Sequence, residues 1–78
     1  MKYQLIKHLK TKTKLLKMFE TVQEAKKYIE STGARFNGLS YIGQFPIYVD
    51  GHSKYSIQGY HEEYKIVLGL NKEDLAIF

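Results

Sequence analysis

The residues best able to do chemistry in this sequence are lysines, which are concentrated near its beginning. Residues 1–19 contain six lysines and no acidic residue, so this segment carries +6 in a chain whose net charge is +4. Ammonium groups on an extended segment suit contact with phosphates, which requires positive charge and no particular shape. The candidate residues for nucleic-acid contact or electrostatic steering are Lys7, Lys10, Lys12, Lys14 and Lys17.

These lysines also suit a solvated hairpin, in which they would protect an edge strand from aggregation. The chain has eleven lysines but a single arginine, Arg35. It therefore lacks the bidentate guanidinium groups that recognise guanine edges. If nucleic acid binds, we expect contact with the phosphate backbone and low sequence specificity.

Tyrosines form the second candidate group, because seven in a chain of 78 residues exceed what one small core needs. A tyrosine ring is apolar but carries a polar hydroxyl, so it suits a surface where the hydroxyl stays in contact with water. There the ring could stack on a base or pack in a protein interface. The rings could equally complete an interior that has no tryptophan. The side chains predicted to contact a partner are Tyr41, Tyr48, Tyr55 and Tyr60.

Catalytic and metal chemistry have little support in the sequence. His52 and His61 fall in separate predicted turns and lack the helical spacing of metalloprotease ligands. There is no cysteine, and no serine lies in the strand-turn-helix motif of a nucleophile elbow. The glycines form no phosphate-cradling loop. We therefore predict a non-enzymatic protein that uses no metal and no cofactor.

Length and composition predict one small folded domain. Seventy-eight residues support a single core, and 44% hydrophobic with 26% charged residues is the balance of a folded protein. No apolar run approaches the length of a membrane span, and the first ten residues offer no signal-peptide core. We expect a single domain over residues 1–78, a cytoplasmic location and no membrane partner.

Two strands are expected to position the lysines. Residues 2–9 alternate between apolar and polar side chains, which predicts a half-buried strand. Residues 10–14 contain no large apolar side chain and predict a hairpin tip. Residues 15–19 predict a second strand, paired antiparallel with the first because the connection is short.

A helix should follow this hairpin. Thr21 and Glu24 have the spacing of a capping box, and Gly33 is placed to end the helix in a left-handed conformation. The apolar positions share one helical face. They are Val22, Ala25, Tyr28 and Ile29.

The second half of the chain predicts three further strands. Asn37-Gly38 indicates a turn, and residues 45–49 indicate a strand in which Pro46 marks the start or a sheet edge. Asp50-Gly51 indicates a hairpin to residues 54–58, by a two-residue loop or by a four-residue loop that pairs Tyr48 with Tyr55; we favour the four-residue loop. Residues 64–70 are the most apolar segment and predict a central strand. An N-cap at Asn71 allows a final helical turn.

The predicted fold is therefore α+β: a mainly antiparallel sheet in the order β-β-α-β-β-β, with one helix on one face and a C-terminal helical turn. A single helix covers only part of one face. The exposed sheet face, or the edge at Pro46, could form a two-fold homodimer.

Residues 19–25, Phe-Glu-Thr-Val-Gln-Glu-Ala after a basic strand pair, resemble the strand-to-helix junction of the arm-site DNA-binding domains of phage integrases. In that family three strands precede the helix, whereas two do here, so no DNA-contact residue is assigned from the resemblance. In size, lack of cysteine, Lys/Ile/Tyr-rich composition and lack of a catalytic motif, the chain is also similar to small phage-encoded accessory proteins, including inhibitors of CRISPR and other host defences.

The second resemblance implies a protein that acts by stoichiometric docking on a larger protein or ribonucleoprotein complex, in the cytoplasm of a host cell. This is our first functional expectation, with the tyrosines as contacts and the lysines steering the approach. The alternative is direct, low-specificity binding of DNA or RNA by the lysine-rich hairpin.

Overall fold

An antiparallel sheet with one long helix across it organises the protein, as seen in a computed structural model that describes residues 1–41 and 44–78. This confirms the predicted α+β class. The elements in the described residues are β1 (Lys2–His8), β2 (Thr13–Phe19), α1 (Val22–Ser31), β3 (Arg35–Leu39), β4 (Pro46–Asp50), β5 (Ser53–His61), β6 (Ile66–Leu68) and α2 (Lys72–Leu75). Neither helix in this part of the chain has the length and apolar character needed to cross a bilayer.

The strand order across the sheet is β2-β1-β5-β4-β3, and β6 pairs with the C-terminal part of β5. All described pairs are antiparallel. The long strand β5 is therefore central, with β1 along one side and β4 and β6 sharing the other. β2 and β3 form the two outer edges.

The predicted N-terminal hairpin is confirmed, but its turn is tighter than expected. The Leu9 amide donates to the Lys12 carbonyl at 2.8 Å, and Thr13 already pairs with His8. Farther along, Leu5 faces Lys17 while Ile6 faces Leu15, so Leu16 is an extra residue in β2. This bulge bends the outer strand and increases its twist.

The predicted helix is also confirmed as α1. The Thr21 hydroxyl accepts a hydrogen bond from the Glu24 amide at 3.1 Å, which satisfies one free N–H of the first turn. Gly33 follows the helix with φ +96°, a conformation that costs glycine little. A helix of ten residues is too short to be stable alone, so it depends on docking its apolar face.

The core lies between α1 and the sheet. Val22, Ala25 and Ile29 of the helix pack against a set of buried residues that includes Leu5 and Ile57 of the central strands. The chain end closes one side of this core, with α2 capped by Asn71 as predicted. Residues on the same side of the sheet as this core are called the helix side below. The members of the buried cluster are Leu5, Phe19, Val22, Ala25, Ile29, Ala34, Tyr48, Ile57 and Leu70.

One turn and one strand predicted in the second half differ from the structure. The segment containing Asn37-Gly38 is not a simple turn but part of strand β3, in which Gly38 has φ +80° at a break in the pairing with β4. A glycine in the left-handed conformation occurs in β-bulges as well as in turns, so the Asn-Gly pair did not distinguish the two. The predicted central strand at residues 64–70 is only the three-residue β6, with Ile66 and Val67 exposed.

The hairpin between β4 and β5 has the predicted register. Tyr48 faces Tyr55, as expected, but Asp50 also faces Ser53, so the loop has two residues instead of four. Pro46 begins β4 as predicted, yet it does not lie at an edge, because β3 pairs along the outer side of β4. The proposed dimer contact through a Pro46 edge is therefore wrong.

Candidate functional site

One row of cross-strand neighbours spans the whole sheet on its helix side. The row is aromatic on the three strands at one end and cationic on the two strands at the other. Tyr48 at its aromatic end has no exposed surface, whereas Lys14 at its cationic end is exposed. From β3 to β2 the members are Phe36, Tyr48, Tyr55, Lys7 and Lys14.

Lys7 and Lys14 lie directly opposite each other in the β1–β2 ladder. Like charges in this relation are destabilising. At the ~5 Å spacing of neighbouring strands, two unit charges in water would repel by about 1 kcal/mol, and the long side chains reduce this by spreading apart. An anion between the two ammonium groups would turn the repulsion into attraction.

Lys7 and Lys14 belong to a group of five lysines on this hairpin, which we call the hairpin lysines. Among the described residues, none of its members has a carboxylate oxygen within the 4.0 Å that defines an ion pair. Lys2 differs, because its ammonium lies 3.2 Å from Glu62 and 3.7 Å from Glu20, and the hydrogen bond to Glu62 raises the pKa of Lys2. The hairpin lysines are Lys7, Lys10, Lys12, Lys14 and Lys17.

The arrangement of these lysines differs from the expected extended tip. Lys10 and Lys12 lie in the turn, and only Lys14 of the alternating trio is in a strand. Instead, the hairpin register places Lys7, Lys14 and Lys17 on the helix side of β1 and β2. The cationic surface is therefore the flank of the hairpin together with its tip.

Aromatic rings adjoin the flank of this surface. The Lys7 ammonium lies 5.9 Å from the centre of the half-buried Tyr55 ring. Lys17 lies 4.9 Å from the centre of the Tyr28 ring and 5.5 Å from that of Phe19. Such cation–π contacts are weak at exposed sites. They nevertheless hold two ammonium groups beside flat apolar surfaces.

Tyr28 shares the apolar face of α1, as predicted, but it was not among the tyrosines predicted to contact a partner. The ring is 40% exposed and packs at 5.4 Å on Phe19. It borders an open groove of about 500 Å³ between β2 and α1. The signal that could have revealed this is Lys17, two residues before Phe19 and thus on the same face of β2.

Tyr48 does not contact a partner in this fold, and that prediction is wrong. Its ring is fully buried beneath the helix and packs edge-on against Phe36 and Phe78, with centroids 5.7 and 6.2 Å away. Burial, reinforced by the charge of Glu30, raises the pKa of Tyr48 far above its ordinary value. Its hydroxyl has no hydrogen-bond partner among the described residues. The ring is part of the core because the alternation of side chains along β4 directs it toward the helix side.

The remaining candidate tyrosines do not form one panel. Tyr55 packs against the core beside Lys7, and Tyr60 lies on the opposite side of the sheet, facing Lys2. Tyr41 is fully exposed in the turn after β3. The three rings thus lie on the helix side, on the opposite face and in a turn, so they do not form one flat partner surface.

The sheet face away from α1 carries a polar network centred on Ser56, which lies between the buried side chains of Ile6 and Ile47. The Ser56 hydroxyl lies 2.7 Å from His8 Nε2 and accepts a hydrogen bond from the side-chain amide nitrogen of Gln58 at 3.0 Å. It can therefore donate its own proton to a neutral His8. Desolvation, with the charge of Lys54, lowers the pKa of His8 and so favours that neutral form.

A serine bonded to a histidine resembles an activated nucleophile, but Ser56 has no exposed surface. No substrate can reach its oxygen without opening the sheet, so the bond serves to satisfy a buried hydroxyl. His52 is exposed in the β4–β5 turn, and the His61 ring packs at 4.4 Å on Tyr64. Within residues 1–41 and 44–78, no three His, Asp or Glu side chains come together as a metal site.

Comparison of the chain with protein-family models, with curated proteins and with solved structures finds no match. The interpretation of its surfaces therefore depends on charge, exposure and neighbouring groups. By those criteria the hairpin lysines, with Tyr55 and Tyr28 beside them, form the candidate functional site.

Proposed function

We propose that this protein is a small non-enzymatic binding protein that attaches to nucleic acid through the phosphate backbone, using the hairpin lysines. The observation that carries the proposal is the cross-strand pair Lys7 and Lys14, which lies within a five-lysine surface that has no acidic partner among the described residues. Binding a polyanion would relieve the repulsion within this surface and release counterions from the nucleic acid.

The kind of contact follows from the residue types. Lysine is a flexible point charge and suits phosphate, but it does not recognise a base edge in the bidentate way that arginine does. Arg35 lies on β3, at the opposite edge of the sheet from the hairpin lysines. We therefore propose binding of low sequence specificity, in the cytoplasm where the protein would meet nucleic acid.

Salt dependence tests this proposal. The affinity of the protein for a fluorescently labelled oligonucleotide is measured by anisotropy over a series of salt concentrations. We expect log K to fall linearly with log salt, with a slope of about −0.7 for each single-strand phosphate neutralised. The double variant Lys7→Gln/Lys14→Gln should bind more weakly and with a shallower slope.

A matched control is available in Lys65→Gln/Lys72→Gln, which makes the same change in net charge away from the hairpin. Both of these lysines are exposed, and neither has a carboxylate oxygen within 4.0 Å among the described residues. The control should keep nearly all of the wild-type affinity and slope. Absence of binding at low salt would refute the proposal, and equal losses in the two variants would refute the assignment to the hairpin.

Docking on a larger protein or ribonucleoprotein, as in a phage-encoded inhibitor of a host defence, is the second candidate function. A specific observation favours it: Tyr41 is fully exposed and follows Leu39, which is itself 50% exposed. Large exposed apolar side chains are typical of interaction surfaces, and tyrosine is enriched in protein interfaces.

Affinity capture from a host lysate, with and without nuclease, separates these two functions. A partner that survives nuclease and is lost with Tyr41→Ser supports protein docking. A partner that disappears with nuclease and with Lys7→Gln/Lys14→Gln supports nucleic-acid binding.

A further inference from the structure

The groove between β2 and α1 has features that the attachment of phosphates alone does not require. Its wall includes the Phe19 and Tyr28 rings, and Lys17 and Lys27 also line it. It is an open groove of about 500 Å³, which is in the range of sites that accept small organic groups. An aromatic surface beside two cations is complementary to a ligand that combines a flat ring with a negative charge.

We propose that this groove receives single-stranded nucleic acid, with one base stacked on Tyr28 and the adjoining phosphates on Lys17 and Lys27. This inference rests on the proposed function and specifies the form of nucleic acid that is bound. In a duplex both faces of each base are already stacked within the helix, so only a single strand or an end can offer a base to the ring.

The contact between Lys17 and Tyr28 suggests how the site would work. The ammonium lies 4.9 Å from the ring centre in the free protein. Stacking of a base on an aromatic ring is worth more than an exposed cation–π contact, so the base can displace the ammonium. The flexible lysine side chain can then move to the phosphate next to that base.

Acidic residues limit the direction from which a strand can enter. Glu20 and Glu24 also line the groove, at the connection between β2 and α1. Glu20 lies 3.7 Å from Lys2, whereas Glu24 has no lysine within 4.0 Å among the described residues, so its carboxylate would repel phosphates at that end. The strand should therefore run from the Tyr28 end of the groove toward Lys14 and the hairpin tip, which continues the cationic surface.

Two probes of similar length test the inference: a labelled oligothymidine and a labelled hairpin duplex, each titrated at the same low salt. Wild type should bind the oligothymidine more tightly. Tyr28→Leu should weaken oligothymidine binding by about tenfold and leave duplex binding unchanged, whereas Tyr28→Phe should preserve both. Loss of both affinities to the same extent in Tyr28→Leu, or no loss at all, would overturn the inference.

A second measurement does not depend on removing the ring. The chain has no tryptophan, so Tyr28→Trp creates a unique fluorophore at the proposed stacking position. Saturation with oligothymidine should quench its emission, while saturation with duplex should leave the emission nearly unchanged. Absence of quenching by bound oligothymidine would contradict base stacking at this site.

These measurements distinguish failure of the proposed nucleic-acid binding from failure of the groove inference alone. If wild type binds neither probe, the proposed function is wrong and the groove inference falls with it. If wild type binds both probes equally through the hairpin lysines and is insensitive to Tyr28, only the groove inference is wrong.

Discussion

The two ends of one row of side chains, on the same face of the same sheet, have opposite properties. At one end Tyr48 is fully buried on the helix side and packs against the aromatic rings of Phe36 and Phe78. At the other end Lys7 and Lys14 face each other with no acid nearby in the described chain. The aromatic end therefore holds the fold together, whereas the like charges at the lysine end cost stability.

The largest expected effect is on stability at the aromatic end. Tyr48→Ala should lower the free energy of unfolding by about 3–5 kcal/mol, because it removes a large, fully buried ring from a small core. Urea denaturation followed by circular dichroism measures the change. Lys14→Ala serves as the control and should change stability by less than about 0.5 kcal/mol. Similar losses in both variants would abolish the distinction between the two ends.

A smaller effect is expected from the Tyr48 hydroxyl alone. Tyr48→Phe should raise the free energy of unfolding by about 1 kcal/mol, because it removes a buried polar group that has no partner among the described residues. The neighbouring Tyr55 is half-buried, so Tyr55→Phe should be nearly neutral. A marked destabilisation by Tyr48→Phe in thermal or urea unfolding would mean that the hydroxyl is hydrogen-bonded.

The lysine end should show the reverse behaviour. Lys14→Gln should increase stability by a few tenths of a kcal/mol, roughly the cost of a like-charge cross-strand pair, because the repulsion with Lys7 disappears. The gain should shrink as salt is added, since salt screens exposed charges. Urea denaturation at low and high salt measures both effects. A salt-independent loss of stability would show that Lys14 contributes through packing.

The smallest effect concerns pH. The pKa of His8 is lowered in the folded protein, so the unfolded chain takes up the proton first as the pH falls below about 6.5. Stability should therefore decrease from that pH downward until folded His8 is protonated as well. His8→Gln should remove this part of the pH dependence.

The same histidine can report on whether a bound anion also approaches the sheet face away from α1. Because the charge of Lys54 contributes to the lowered pKa, a polyanion bound nearby should raise the pKa of His8 toward its ordinary value. Titration of the His8 ring by NMR, with and without oligonucleotide, measures this shift. A pKa that is unchanged at saturation would mean that the bound anion does not reach Lys54 on the face of the sheet away from α1.

How much of the fold could be predicted from the sequence depends on whether the interactions that decide each element are local in the sequence or join distant residues. The helix was predicted well because its signals are local: Thr21 caps it and Gly33 follows its end. β3 was missed because an Asn-Gly pair serves a turn and a bulge equally well, and only the pairing with β4 decides between them.

The site was predicted in part for the same reason. The concentration of lysines is visible in the sequence, and each hairpin lysine could be named. The partnership of Lys7 with Lys14 depends on the hairpin register, which the turn at residues 9–12 sets, and the bulge at Leu16 then brings Lys17 to the same side of the sheet as Lys14. The burial of Tyr48 and the exposure of Tyr28 depend on how the helix lies across the sheet, which no local pattern specifies.

The most direct test of the central claim is an NMR titration of isotopically labelled protein with a short oligothymidine. We expect the amide and side-chain signals of Lys7, Lys14, Lys17 and Tyr28 to shift progressively, while those of Tyr48 at the aromatic end stay in place. Shifts confined to the β3–β4 end, or no shifts at low salt, would contradict that claim.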